Sequence, residues 1–344
     1  MLAQYPPRFL VLGVIASFAV FGLVAQFFFA TSSTAAAQFS PFKTHFSDDD
    51  TLRPGEVVMV TGSTGTNGFS GIPGLKDQVY ENRMSYAHRH GYGFFWANFS
   101  SYGFDNVPAY WNKIPILQEA FERFPEAKWL WWLDLDAIIM TPSLDLHTHV
   151  LGEEGMRRNI VYDAEVNQPG GSKSGYRTPA HIDPKDVNFL IASGGWGLNV
   201  GSFLLKRGDW ADWLLEMWAD PLQIQQESVL PENDAWTRLW RAHKIVRDHT
   251  GCTNQRALNA YPSYNALGAH WQESDLLMHF AGCGSGTSCP EKWQEAWNQR
   301  EPYEVPGFIK TQLKNDHAHI EDVERGDGLK FPTFAAFKEW AEKV

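Results

Sequence analysis

Residues 129–140, Trp-Leu-Trp-Trp-Leu-Asp-Leu-Asp-Ala-Ile-Ile-Met, constrain the fold of this chain more than any other stretch. Large apolar residues this dense read as a buried strand, and the strand delivers two carboxylates two positions apart. In extended chain, residues i and i+2 face the same side, so Asp134 and Asp136 are expected to present their oxygens together. Such a pair at the C-terminal edge of a parallel strand suits a hard divalent cation and the phosphates it bridges. The expected ligand is therefore a nucleotide diphosphate held through Mn²⁺ or Mg²⁺. Asp48-Asp49-Asp50 has the same Asp-x-Asp spacing but follows a polar run and precedes Pro54. No strand aims it, and it reads as a solvated charge run.

A chain of 344 residues has room for one large domain or two modest ones. Its formal charge of −11 argues against nucleic acid as a partner. The 15 Trp suit a carbohydrate-handling protein but also make good core. Residues 9–30 carry no charged residue and only Ser17 and Gln26 as polar interruptions. As a helix they span roughly 33 Å, enough for a bilayer core. The stretch exceeds the usual core of a cleaved signal peptide, so an uncleaved signal-anchor is expected, with residues 1–8 as a cytoplasmic tail. Residues 31–54, small, polar and acidic, read as a stem, with the body on the lumenal side.

Cys283 and Cys289 lie close together in a loop that a disulfide would close, and Cys252 is left over as a buried thiol. Asn98 heads the sequon Asn98-Phe99-Ser100, an N-glycosylation candidate for a lumenal body.

The body opens on a β-branched strand at residues 56–60 that runs into Thr61-Gly62-Ser63, as in the first turn of a nucleotide-binding α/β unit. A helix is expected over 79–90, a strand over 92–96, a helix over 111–124, and then the acidic strand. Alternating strands and helices imply a parallel sheet. Residues 170–175, rich in Gly and Ser, read as a mobile loop over the site. Residues 189–191 and 201–205 read as strands, and residues 210–218 as a helix with a core-facing Trp stripe. His147 and His149 form an H-x-H pair with no third partner and are taken as surface residues. No second domain boundary is visible.

Taken in order, several further motifs join the acidic strand: Asn82-Arg83-x-x-Tyr86, His90-Gly91-Tyr92, Trp111-x-Lys113, Gly197-Leu198-Asn199-Val200-Gly201-Ser202, Trp218-Ala219-Asp220-Pro221, Gln255 to Tyr261, and His279-Phe280-Ala281-Gly282-Cys283. In this series the chain resembles glycosyltransferase family 34, the fungal Golgi galactosyl- and mannosyltransferases related to plant xyloglucan xylosyltransferases.

The resemblance implies an α/β GT-A fold, a Rossmann-like nucleotide-sugar-binding domain over 55–290, preceded by one transmembrane helix. Residues 291–344 then form a C-terminal extension packed on that domain. It also implies a single-pass type II Golgi protein that performs retaining transfer of galactose or mannose. The donor would be UDP-galactose or GDP-mannose, the acceptor a mannose-containing glycan, and other glycosyltransferases are candidate complex partners.

Carried over by position, Asp136 ligates the metal, Asp134 contacts the metal's water shell or the ribose, and His279 is the third ligand. That set suits Mn²⁺ better than Mg²⁺. Thr61, Gly62 and Ser63 lie against the nucleotide, Asn82 or Arg83 reaches the pyrophosphate, and Gly197, Leu198 and Asn199 floor the donor sugar. Ser193-Gly194-Gly195-Trp196 offers no carboxylate where relatives carry one. Same-face displacement assisted by the leaving phosphate is therefore expected, with Asp220 or Asp234 as distant helpers. Gly284, where the plant branch has Lys, leaves the donor open. The alternative is a non-catalytic scaffold subunit of a mannan-synthesising complex.

Overall fold

The computed structural model describes residues 52–310, apart from 64–70, 103–106, 169, 227, 229, 267, 284–287 and 308. The expected cytoplasmic tail, membrane span and nearly all of the stem lie outside the described residues. No helix among the described residues is long and apolar enough to cross a membrane.

The strands are β1 (Val57–Ser63), β2 (Gly93–Asn98), β3 (Trp129–Leu133), β4 (Ala137–Ile139), β5 (Glu165–Asn167), β6 (Lys173–Arg177), β7 (Phe189–Gly194), β8 (Gly197–Lys206), β9 (Thr250–Asn254) and β10 (Leu277–His279). The longer helices are α1 (Leu75–His90), α2 (Lys113–Arg123), α3 (Asp209–Trp218), α4 (Pro231–Ala242) and α5 (Cys289–Gln299).

Six strands form one sheet in the order β2-β1-β3-β8-β7-β9. The expected parallel sheet is corrected to a mixed one. β1 runs parallel to β2 and β3, but β8 is antiparallel to both β3 and β7. A helix crosses over between β1 and β2 and between β2 and β3, which allows parallel pairing. β7 and β8 are joined instead by the two-residue turn Gly195-Trp196, which forces reversal.

The acidic segment is also not one strand. β3 ends at Leu133, Asp134 to Asp136 make a turn closed by Ala137 N–H donating to Asp134 O (3.2 Å), and β4 pairs antiparallel with β10 in a separate ribbon. Two acidic side chains have no apolar slot in a central strand, and in the turn they are only half-buried. The chain leaves the sheet at that point.

β3 is fully buried, with Trp131 and Trp132 in the core and Trp131 Nε1 donating to Ser202 Oγ on β8 (3.1 Å). The Trp stripe of α3 is core as its helical spacing predicts, with Trp210, Leu214 and Trp218 buried. The 170–175 segment is only partly loop, because Lys173 onward forms β6 of a two-stranded ribbon with β5. Pro115 sits in the first turn of α2, where its missing N–H costs nothing. α5 closes the body, burying Trp293 against Phe280 and donating Trp293 Nε1–H to Gln78 Oε1 (2.6 Å). Cys283 and Cys289 are disulfide-bonded and Cys252 is a buried free thiol.

Candidate functional site

The β3–β4 turn and β10 bring Asp134, Asp136 and His279 together, with one potential ligand atom from each within 4.8 Å of the others. Asp134 leaves the end of β3, its N–H held by Gly201 O of β8 (2.8 Å). His279 ends β10 in register with Ala137, which sets it beside Asp136. The approach of His279 requires Gly201. A Cβ there would lie 2.1 Å from His279 Cε1 and 2.9 Å from Asn199 Oδ1.

The imidazole is oriented by a chain of amides. His279 Nδ1 pairs with Asn259 Oδ1 (2.7 Å), Asn259 Nδ2 donates to Asn199 Oδ1 (2.7 Å), and Gly201 N–H donates to the same oxygen (2.8 Å). With Nδ1 turned to Asn259, Nε2 is the ring nitrogen that faces Asp136 Oδ1, at 3.3 Å. Burial opposes charge on His279, but the Asp136 carboxylate outweighs it and raises the imidazole pKa. Burial likewise raises Asp136, and the facing His279 outweighs it, so the carboxylate sits below its ordinary range. Two carboxylates and an imidazole, whose Nε2 gives up its proton to a metal, are a donor set that fits Mn²⁺.

Asp134 carries a second set of contacts. Its Oδ1 accepts from Trp132 Nε1 (2.6 Å) and lies 3.3 Å from Lys113 Nζ. Lys113 is buried, donates to Val200 O (3.0 Å), lies 3.5 Å from Glu232 Oε1 and stands over the Trp132 ring. Burial raises the Glu232 pKa, and Lys113 only partly reverses this. The next residue, Asn233, accepts from Val200 N–H through Oδ1 (2.9 Å), fixing α4 against β8.

Other sequence-predicted residues are placed as follows. Thr61 and Ser63 are buried at the end of β1, and the Phe99 ring lies against Gly62. Asn82 and Arg83 are engaged by main chain. Asn82 donates to Ile139 O (3.0 Å) and accepts from Ile139 N–H (2.9 Å). Arg83 is fully buried and donates to Thr61 Oγ1, Leu133 O, Asp134 O and Ala137 O. Both side chains thus fasten the turn that carries the carboxylates.

Leu198 is buried, while Gly197 adopts φ +93° with Asn167 O where a Cβ would be, 2.5 Å away. Asn199 joins the His279 network. Asn98 is half-buried at the end of β2, opposite Ser63. Asp220 and Asp234 accept from Leu222 N–H and Leu230 N–H at helix N-termini, whereas the unforeseen Glu232 reaches Lys113. His149 is not a surface residue. It is half-buried and bonds Ala257 O (2.8 Å), and burial lowers its pKa.

Sequence reading gave no role to Lys113, Glu232 or Asn259. Lys113 and Asn259 stood inside quoted motifs, but nothing in spacing shows a buried Lys standing over a Trp ring.

The profile of the galactosyl transferase GMA12/MNN10 family matches residues 54–290. An uncharacterized alpha-1,2-galactosyltransferase of Schizosaccharomyces pombe is 34% identical over 245 residues, 70% of this chain and 65% of its own length. An alpha-1,2-galactosyltransferase of the same yeast is 32% identical over 273 residues, 78% of this chain and 72% of its own length. Among solved structures, a glycosyltransferase involved in glycosylation of the major capsid of PBCV-1 aligns with a TM-score of 0.47 and 13% identity, covering 70% of this chain and 98% of that one.

Proposed function

This chain belongs to the galactosyl transferase GMA12/MNN10 family, and we propose that it is a metal-dependent, retaining glycosyltransferase of GT-A fold. It would move a hexose from a nucleotide sugar to a mannose-containing glycan, as a single-pass type II protein of the Golgi membrane with its body lumenal. Galactose from UDP-galactose is the first choice, in keeping with the names of the two fungal relatives, and mannose from GDP-mannose the second. The carrying observation is the Asp134, Asp136 and His279 cluster, built on buried elements and oriented through Asn259. A scaffold subunit would have no use for an acidic cluster this costly to bury.

Asp134, Asp136 and His279 would hold Mn²⁺, which when bound neutralises charge on the leaving diphosphate. The chain's own residues hold that centre in shape. Asn259 and Asn199 fix the imidazole, Gly201 leaves space for it, and Arg83 and Asn82 clamp the turn. Lys113 balances Asp134 and Glu232 at the wall of the site. Transfer breaks the bond between anomeric carbon and phosphate oxygen and forms one from the acceptor hydroxyl oxygen on the same face. The hydroxyl proton passes to the departing phosphate. Ser193 to Trp196 supply no carboxylate, which supports this route over a covalent intermediate.

The test uses the full chain in detergent, with Mn²⁺ and either donor, following nucleotide release and transfer to mannobiose together. Transfer with one donor, abolished by chelator and by Asp136→Ala, is expected. A folded protein that binds neither nucleotide would overturn the reading.

A further inference from the structure

β8 outruns its neighbour. Residues 202–206 pair with β3, whereas 197–201 continue past Leu133, alongside the turn that carries Asp134 and Asp136. The tip of the β7–β8 hairpin therefore lies beyond the end of β3, on the side where the acidic turn leaves the sheet. Trp196 occupies that tip. It is 40% exposed, the only exposed tryptophan among the described residues, while those of β3, α3 and α4 are mostly buried.

The exposed ring is nonetheless held in place. Its Nε1–H donates to Asn265 Oδ1 (3.0 Å). The turn beneath it is fastened by Asn167 Nδ2, which donates to Gly195 O (3.2 Å), and by Gly197, whose positive φ fits it against Asn167 O. One ring edge is thus anchored and ring surface stays open. From Trp196 to Asn199, the near end of the amide chain leading to His279, is about 10 Å of strand. A donor hexose and the acceptor residue it is joined to can bridge that span.

We propose that Trp196 is the acceptor platform, stacking on the apolar face of a hexopyranose of the glycan and presenting its hydroxyl to the donor. A rigid ring with a polar handle suits a ligand that is apolar on its C–H face and wet at its rim. This inference rests on the transferase reading above.

The experiment compares the full-length protein with Trp196→Ala and Trp196→Phe, measuring transfer to mannobiose, donor hydrolysis in its absence, and mannobiose binding by saturation-transfer NMR. Trp196→Ala should raise the mannobiose KM about tenfold and erase the NMR contact, with donor KM and donor hydrolysis changed by less than about twofold. Trp196→Phe, which keeps the ring, should stay within about threefold of the unmutated protein.

An unchanged acceptor KM, an equal change in donor KM, or a Phe variant as poor as Ala would overturn the platform. If the protein neither transfers nor hydrolyses either donor, the transferase reading fails. Mannobiose contact that depends on Trp196 would then still support the platform, and no contact would overturn it.

Discussion

One group of polar side chains at the β3–β4 turn, Arg83 and Asn82, spends its hydrogen bonds on main-chain groups. A second group, Asp134, Asp136 and His279, turns side-chain ligand atoms toward one another. Both are rich in charge and both lie where apolar residues crowd. The difference lies in what satisfies them. A buried cation that neutralises carbonyl partial charges is architecture, because its removal leaves acceptors without donors. The cluster instead offers exchangeable partners: His279, its pKa raised, faces Asp136 across 3.3 Å and Lys113 faces Asp134, and a bound cation takes the place of the imidazole proton. Burial of charge alone therefore does not identify a site. Convergence of side-chain ligand atoms on one point does.

The sharpest way to break this comparison is Asp136→Ala. Transfer should fall at least about a thousandfold, a barrier change on the order of 4 kcal/mol, while the thermal midpoint measured without metal falls only slightly, by the loss of the His279 contact. A variant that melts as early as Arg83→Met would place Asp136 with the architectural group.

Arg83→Met should do the reverse. It strips donors from the carbonyls of Leu133, Asp134 and Ala137 and should cost about 3 kcal/mol in urea unfolding. Unchanged stability would mean that Arg83 serves the ligand and not the turn.

Asn259→Leu tests the border between the groups. The imidazole loses its Nδ1 partner, and Mn²⁺ affinity by calorimetry should fall about 10- to 100-fold with little loss of fold. Unaltered affinity would remove Asn259 from the site.

The smallest effect is expected at Glu232, whose pKa burial raises above its ordinary 4.5. Above pH 4.5 the folded protein then holds this proton more tightly than the unfolded chain. Stability from this group is complete below that pH and declines as pH rises through the raised value. Glu232→Gln should remove that decline, by about 1 kcal/mol or less between urea titrations at pH 4.5 and pH 7. Parallel curves for the two proteins would leave Glu232 out of the buried charge set.

The Trp-rich strand, the carboxylates after it and the order of elements around them were legible in the sequence, because apolar density and helical or two-residue periods are local properties. His279 was found only through a motif, since a lone His beside Phe has no local mark. The expectation that Asn82 or Arg83 reaches the pyrophosphate came from the family resemblance. The structure gives their donors to carbonyls of Leu133, Ala137 and Ile139, fifty or more positions away, a pairing no local pattern encodes.

What the chain determined by itself is that a fully apolar strand must be buried and must release its two aspartates at its end, because neither can be buried without a partner. Only the tertiary structure decided which partners they meet. β8 runs antiparallel beside β3, β10 pairs with β4, and these non-local pairings bring Gly201, Asn259, His279 and Lys113 to the same turn. Spacing along a chain fixes which way a side chain faces. What it faces depends on the register of strands distant in sequence.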